Sequence, residues 1–160
     1  IEQKPLKVKL RIEAYDIAHL SGKSSRGVCV VMEDGEFCKN QYKLFKIRTA
    51  KGGDDVGALS EVLSRRLKHS EWPMPVLIVI DGGSAQLEMA EKIVSNANLQ
   101  IKIVSVVKDD RHKAKDILGN LSGLELARAD ILKINAEAHR FAIGRLRNAT
   151  RKNFLPEANL

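Results

Sequence analysis

The chain has 160 residues, 44% of them apolar, enough to bury the core of one domain without disulfides or a structural metal. Its 27 Lys+Arg against 20 Asp+Glu give a formal charge of +7, which favours a polyanionic partner such as DNA over a neutral one. Cys29 and Cys38 have neither zinc-site spacing nor the density of a disulfide scaffold, so two reduced thiols in a reducing cytoplasm are expected. No apolar run approaches the ~18 residues of a bilayer span and no signal-like segment opens the chain, so a soluble protein without membrane attachment is expected. The chain opens on Ile1 and closes soon after Phe154-Leu155-Pro156. The expectation is therefore one domain over residues 1–160, a fragment of a longer polypeptide and monomeric in isolation.

Leu6 to His19 alternates apolar positions (Val8, Leu10, Ile12, Ala14) and predicts a first strand ending near Asp16, before a turn at Ser21-Gly22. Gly27 to Met32 is a β-branched run, Glu33-Asp34-Gly35 a turn, and Phe37 to Arg48 a further extended segment; together they predict a three-stranded antiparallel meander. After Gly52-Gly53, Asp54 or Asp55 can cap a helix on which Val56, Leu59, Val62, Leu63 and Leu67 follow the 3.6-residue period, up to Pro73. Pro75 to Ile80 and Ile101 to Val107 are short continuous apolar runs, the composition of strands buried on both faces, with a helix over Leu87 to Ala97 between them. Leu118 to Leu126 has two glycines and no period, and Ile131 to Leu146 returns to helical spacing. The predicted fold is α/β: a mixed sheet of three antiparallel then two parallel strands flanked by helices, the arrangement of a ribonuclease H-like domain.

Asp16 at the end of an apolar strand is costly as an ion unless it is paired, hydrogen-bonded or bound to metal, although a turn-capping Asp would look the same. Asp81 stands where the central strand runs out, the place where ligands bind in α/β sheets, but equally at a helix N-cap position. Asp55 in the first turn of a helix is favoured by the macrodipole whatever else it does. His139 falls on the stripe Leu132, Asn135, His139, Ile143, Leu146, which predicts that it points toward the sheet. Two strand-end carboxylates with a histidine on the covering helix, followed by arginines, are the parts of metal-assisted phosphodiester hydrolysis, with Mg²⁺ or Mn²⁺ as the hard ion that oxygen donors prefer. The acid-free basic run of Arg140, Arg145, Arg147, Arg151 and Lys152 marks a phosphate-facing end. Lys108, Arg111, His112 and Lys113, after the last predicted strand, are further candidates for DNA phosphate contacts, or simply a solvated charged loop.

Four segments carry a resemblance. Glu13-Ala14-Tyr15-Asp16-Ile17-Ala18-His19, then Gly53-Asp54-Asp55 ahead of Leu63-Ser64-Arg65-Arg66, then Leu77-Ile78-Val79-Ile80-Asp81-Gly82-Gly83 with Gln86-Leu87, and last Glu137-Ala138-His139-Arg140-Phe141-Ala142-Ile143 resemble, in order and spacing, the motifs of the UvrC nuclease family over nearly the whole chain. The resemblance implies a ribonuclease H-like endonuclease that makes the 5′-side incision of nucleotide excision repair in damaged double-stranded DNA, beside a UvrB-type helicase subunit. Asp16, Asp81 and His139 match catalytic and metal-binding positions, Asp55 a further acidic position linked to the incision, and His19 a motif position that shapes the site. Ser84-Ala85 stands where the family usually has Lys-Gly, Asn135-Ala136 where it often has Arg-Asp, and Asp110 to Leu126 is shorter than the family's hairpin-bearing region, departures that bear on DNA contact and substrate positioning. Two competing readings are an endonuclease V-like repair nuclease, which would cut inosine-containing DNA unaided, and a non-catalytic DNA-binding or docking module.

Overall fold

A computed structural model describes residues 9–20, 24–111, 113–126 and 128–152. Seven strands form one mixed sheet. β1 (Arg11–Leu20) and β2 (Ser24–Glu33) pair antiparallel over their full length, and β3 (Glu36–Phe37) and β4 (Lys43–Lys46) both pair with the far edge of β2. β5 (Leu77–Asp81) lies parallel to β1, β6 (Lys102–Lys108) parallel to β5, and β7 (Ala114–Gly119) closes the sheet antiparallel to β6. Helices α1 (Asp55–Leu67) and α2 (Ser84–Asn96) cover one face and α3 (Arg128–Lys152) the other. Among these residues no helix is long and apolar enough to cross a membrane.

The mixed sheet, its antiparallel first half and its parallel centre are as expected, and four local expectations are corrected. β1 continues past Asp16 to Leu20, because β2 supplies pairing partners as far as Ser24. The third extended segment is two short strands broken by a 3₁₀ turn at Lys39–Gln41, which carries Gln41 to the Arg11 guanidinium. α1 ends at Leu67, short of Pro73. β7 was not expected: Ala114 to Gly119 lacks β-branched alternation, and it is the open edge of β6 that recruits it. The link between them is a tight hairpin in which Asp109 Oδ1 accepts the backbone N–H groups of Arg111 and Lys113, both at 2.9 Å.

Two cores follow from the two-residue period of the strands. Tyr15, Val31, Ile78 and Ile80 pack with Leu59, Val62, Leu63, Ala90 and Val94 under α1 and α2, while Ile12, Ala14, Leu77, Val79 and Val104 pack with Ile131, Ile134 and Ala138 under α3. The spacing of α1 from the sheet depends on Gly27, where a Cβ would stand 2.4 Å from Val62 Cγ2. A fully buried ion cluster ties α1 to β1: Glu13 accepts from Arg66 Nη2 at 2.8 Å, Arg66 Nε at 3.0 Å, Arg11 Nη2 at 3.1 Å and Tyr15 Oη at 2.5 Å.

β4, two antiparallel steps from β1, runs in the same direction as β1, β5 and β6, so all four end at one edge of the sheet. The loop after β4 delivers the start of α1 to that edge. β7 returns to the opposite edge, so α3 climbs back toward the carboxyl ends of the parallel strands and carries its basic end past them. Side chains from far apart in sequence thereby meet at one place.

Candidate active site

The site is built around a register. Ala14 pairs with Val79 in the parallel β1–β5 ladder, so two residues on, Asp16 and Asp81 stand abreast and on the same face. Each continues an apolar series, Ile12-Ala14-Asp16 and Leu77-Val79-Asp81, that is buried until the carboxylate is reached. A cleft of about 170 Å³ opens there, lined by Tyr15, Asp16, Ile17, Asp55, Leu59, Asp81, Gly82 and Gln86. Its floor is a tight turn. Gly82 adopts φ +138°, a conformation open to glycine, and its carbonyl accepts from the buried Ser105 hydroxyl at 2.6 Å. Gln86 Oε1 accepts from the Gly83 N–H at 3.0 Å and closes the first turn of α2.

The two carboxylates are incompletely compensated. Asp16 Oδ1 accepts the Ile17 N–H at 2.9 Å and Oδ2 meets His139 Nδ1 at 3.2 Å. Burial first, then the charge of Asp81, raises the Asp16 pKa, against the lowering effect of His139 and Lys108. Asp81 Oδ2 pairs with Lys108 Nζ at 3.1 Å, whereas Asp81 Oδ1 is buried with no hydrogen-bond partner. An orphaned buried carboxylate oxygen beside a second carboxylate fits a hard divalent cation, which would relieve both the repulsion and the missing bond. Among the described residues no three Asp, Glu, His or Cys side chains converge as they stand, so the Asp16–Asp81 pair is the nucleus of such a site and Lys108 now supplies the cation beside it.

His139 is corrected in its direction. The buried apolar residues of α3 are Ile131, Ile134, Ala138 and Ala142, one position before the expected series; of that series Asn135 is buried beside them, but His139 stands on the flank with its side chain 55% exposed. It reaches Asp16 from the rim and does not line the cleft. Asp54 takes the cap of α1, accepting the Gly57 N–H at 2.9 Å, and so leaves Asp55 to the cleft. His19 bridges Asp55 Oδ1 (2.6 Å) and Ser25 Oγ (2.8 Å).

The basic candidates divide. Lys108 is on Asp81, Arg140 pairs with Glu137 one turn earlier, and Arg145 lies over the Phe141 ring at 4.9 Å. Arg111 and Lys113 are exposed on the β6–β7 hairpin. His112 and the side chains of Arg147, Arg151 and Lys152 lie outside the described residues. Two contributors carried no sequence signal of a role. Glu61 of α1 accepts the backbone N–H groups of Arg48, Thr49 and Ala50 and so fixes the approach to Asp55. Ser105 was one polar residue in an apolar strand run.

Residues 3–143 match the family model described as the UvrC RNAse H endonuclease domain. The chain belongs to this family. The UvrABC system protein C of Caldicellulosiruptor saccharolyticus is 37% identical over 89% of this chain and 25% of that protein, and that of Streptococcus uberis 38% identical over 89% of this chain and 26% of that protein. The chain thus spans about a quarter of the length of the curated relatives it matches. Among solved structures, the catalytic domain of human endonuclease V superposes with a TM-score of 0.54 at 11% identity, covering 90% of this chain and 85% of that one. That likeness extends to the ribonuclease H-like fold alone; what brings Asp16, Asp81 and His139 near one another here is the β1–β5 register and the contact of His139 with Asp16.

Proposed function

We propose that this chain is a divalent-metal-dependent endodeoxyribonuclease that makes the 5′-side incision of nucleotide excision repair in damaged duplex DNA, working in the cytoplasm beside a UvrB-type helicase subunit. The observation that carries the reading is the buried, unpartnered Oδ1 of Asp81 abreast of Asp16 at the carboxyl edge of the sheet. Asp16 and Asp81 would hold Mg²⁺ or Mn²⁺ through oxygen donors. When bound, such an ion polarises the scissile phosphate and offsets the charge that develops on it.

The chain's own groups do the rest. The rigid ends of β1 and β5 fix the two carboxylates relative to each other, which sets where the phosphate sits against them. His139, exposed at the rim and bonded to Asp16, is placed to exchange a proton with an attacking water or a leaving oxygen. Lys108, paired with Asp81 at 3.1 Å, would be free to turn to a DNA phosphate on the same edge if Asp81 held a divalent ion instead. Arg111 and Lys113 on the neighbouring hairpin, with Arg140 and Arg145 on α3, would extend the cationic rim along which a duplex lies.

The test is nicking of a labelled lesion-containing duplex by the wild-type chain and its Asp81→Ala variant, with Mg²⁺ or Mn²⁺ and with a UvrB-type partner supplied. Metal-dependent nicking that falls on the order of 10³-fold or more in the variant, with an unchanged far-UV spectrum, is expected, since several kcal/mol of charge stabilisation is withdrawn. Equal cutting by both forms would overturn the reading. Selective cutting of inosine-containing DNA by the chain alone would redirect it to an endonuclease V-like substrate.

A further inference from the structure

His19 sits at the end of the β1–β2 hairpin, directly across the ladder from Ser25. It shares the face of β1 that carries Tyr15 and Ile17, the face covered by α1 and α2, and it reaches the first turn of α1. Both ring nitrogens are engaged, Nε2 with Asp55 Oδ1 at 2.6 Å and Nδ1 with Ser25 Oγ at 2.8 Å. An ionised carboxylate only accepts, so the proton between His19 and Asp55 belongs to Nε2; with Nε2 protonated, a ring bare at Nδ1 accepts the Ser25 hydroxyl proton there. The result is a directed chain, Ser25 to His19 to Asp55, that joins a strand hairpin to a helix end.

Asp55 needs an external hold. Asp54 has taken the helix cap, so Asp55 is not tied to its own backbone by that role, and its side chain is 62% exposed. A short side chain in that position exchanges among rotamers, each aiming the carboxylate elsewhere. Yet Asp55 lines the same cleft as Asp16 and Asp81. A carboxylate has room for about four hydrogen-bond or ligand contacts, so the bond from His19 fixes its direction and leaves most of its capacity for the cleft.

We propose that His19 is a positioning residue for the incision, which holds the Asp55 carboxylate over the Asp16–Asp81 cleft by donating from Nε2 while Ser25 fixes the ring from the other side. The proposal rests on the nuclease reading above. It differs from a fold-stabilising role because His19 is exposed and outside both main cores. Removing the imidazole should therefore cost activity and little stability.

The experiment compares wild type with His19→Ala, His19→Gln, Asp55→Ala and the His19→Ala/Asp55→Ala double variant in metal-dependent nicking, with thermal melting of each. Removing a residue that orients a site carboxylate typically costs 10- to 100-fold. His19→Ala should lower kcat by about that factor with KM for DNA little changed, and melt close to wild type. His19→Gln, whose amide N–H can replace the Nε2 donor, should recover most of the loss, and the double variant should be no worse than Asp55→Ala alone. Wild-type rates in His19→Ala, or fully additive losses in the double variant, would overturn the proposal. Should the wild-type chain cut no DNA, the nuclease reading fails separately, and ¹⁵N imidazole NMR decides the contact itself. His19 should then show the Nε2–H tautomer and change on Asp55→Ala, and an unchanged spectrum would overturn the hold.

Discussion

Glu13 and Asp16 stand three residues apart on β1, on opposite faces of the sheet, and both are carboxylates withdrawn from water, with side chains 0% and 17% exposed. Glu13 is surrounded by donors: two guanidinium groups and a phenol direct five hydrogen bonds or more at its two oxygens. Asp16 has one backbone N–H, one histidine and a second carboxylate as a neighbour. The first arrangement is electrostatically complete and locks α1 to β1. The second is only partly offset, by His139 and by the Lys108 that pairs with Asp81. Burial alone therefore does not distinguish the two carboxylates; the balance of charge around each one does.

The comparison can be broken most severely at Glu13. Glu13→Ala leaves Arg11 and Arg66 buried without their counter-charge and should cost about 3–5 kcal/mol, read as a lowered midpoint in urea unfolding. At the site, Glu61 offers an intermediate case. Burial raises its pKa, but hydrogen bonds from the Thr49 hydroxyl, from the backbone of Thr49 and Arg48 and from the Arg65 side chain outweigh it and hold the group down at about 2. A depressed carboxylate contributes stability that is present above its unfolded pKa, about 4.3, and is lost as pH falls through the folded value. Glu61→Gln should therefore cost roughly 1–2 kcal/mol at neutral pH and flatten the loss of stability between about pH 4.3 and pH 2, measured by thermal melts across that range. The smallest effect has the opposite sign. Asp16→Asn removes one of two like charges, so without divalent ions its melting temperature at pH 7 should equal or exceed that of wild type, and it should not rise with Mn²⁺, whereas the wild-type value should. A clear fall in melting temperature would show that Asp16 is paired as Glu13 is.

What could be read in the sequence follows the same division. Asp16 and Asp81 were legible because each interrupts an apolar strand series, and strand periodicity places them on a common face once the two strands are parallel. That His139 lies near Asp16 was legible through its motif, but its direction was not. The stripe through Leu132 and Asn135 competes with the one through Ile131, Ile134 and Ala138, and packing against β1 and β2 selects the second. β7 was illegible because an exposed edge strand needs no apolar alternation, only a neighbour with free backbone groups. The partners of Lys108, Glu61 and Ser25 were likewise hidden, since a polar side chain on a surface carries no periodic signal and its role exists only when the chain is closed.

Gly27 reaches the chemistry without touching it. It lies in the middle of β2, paired with Ile17 and Phe45, and its missing side chain is what lets Val62 seat against the strand. α1 is a rigid rod, so its seating at Val62 also sets the height at which Asp55, two turns away, hangs over the cleft. A single methyl at Gly27 would act as a shim under that rod. Tolerance to substitution in this domain is thus governed by mechanical linkage as much as by proximity, and a buried glycine beneath α1 belongs with the residues that set the position of Asp55.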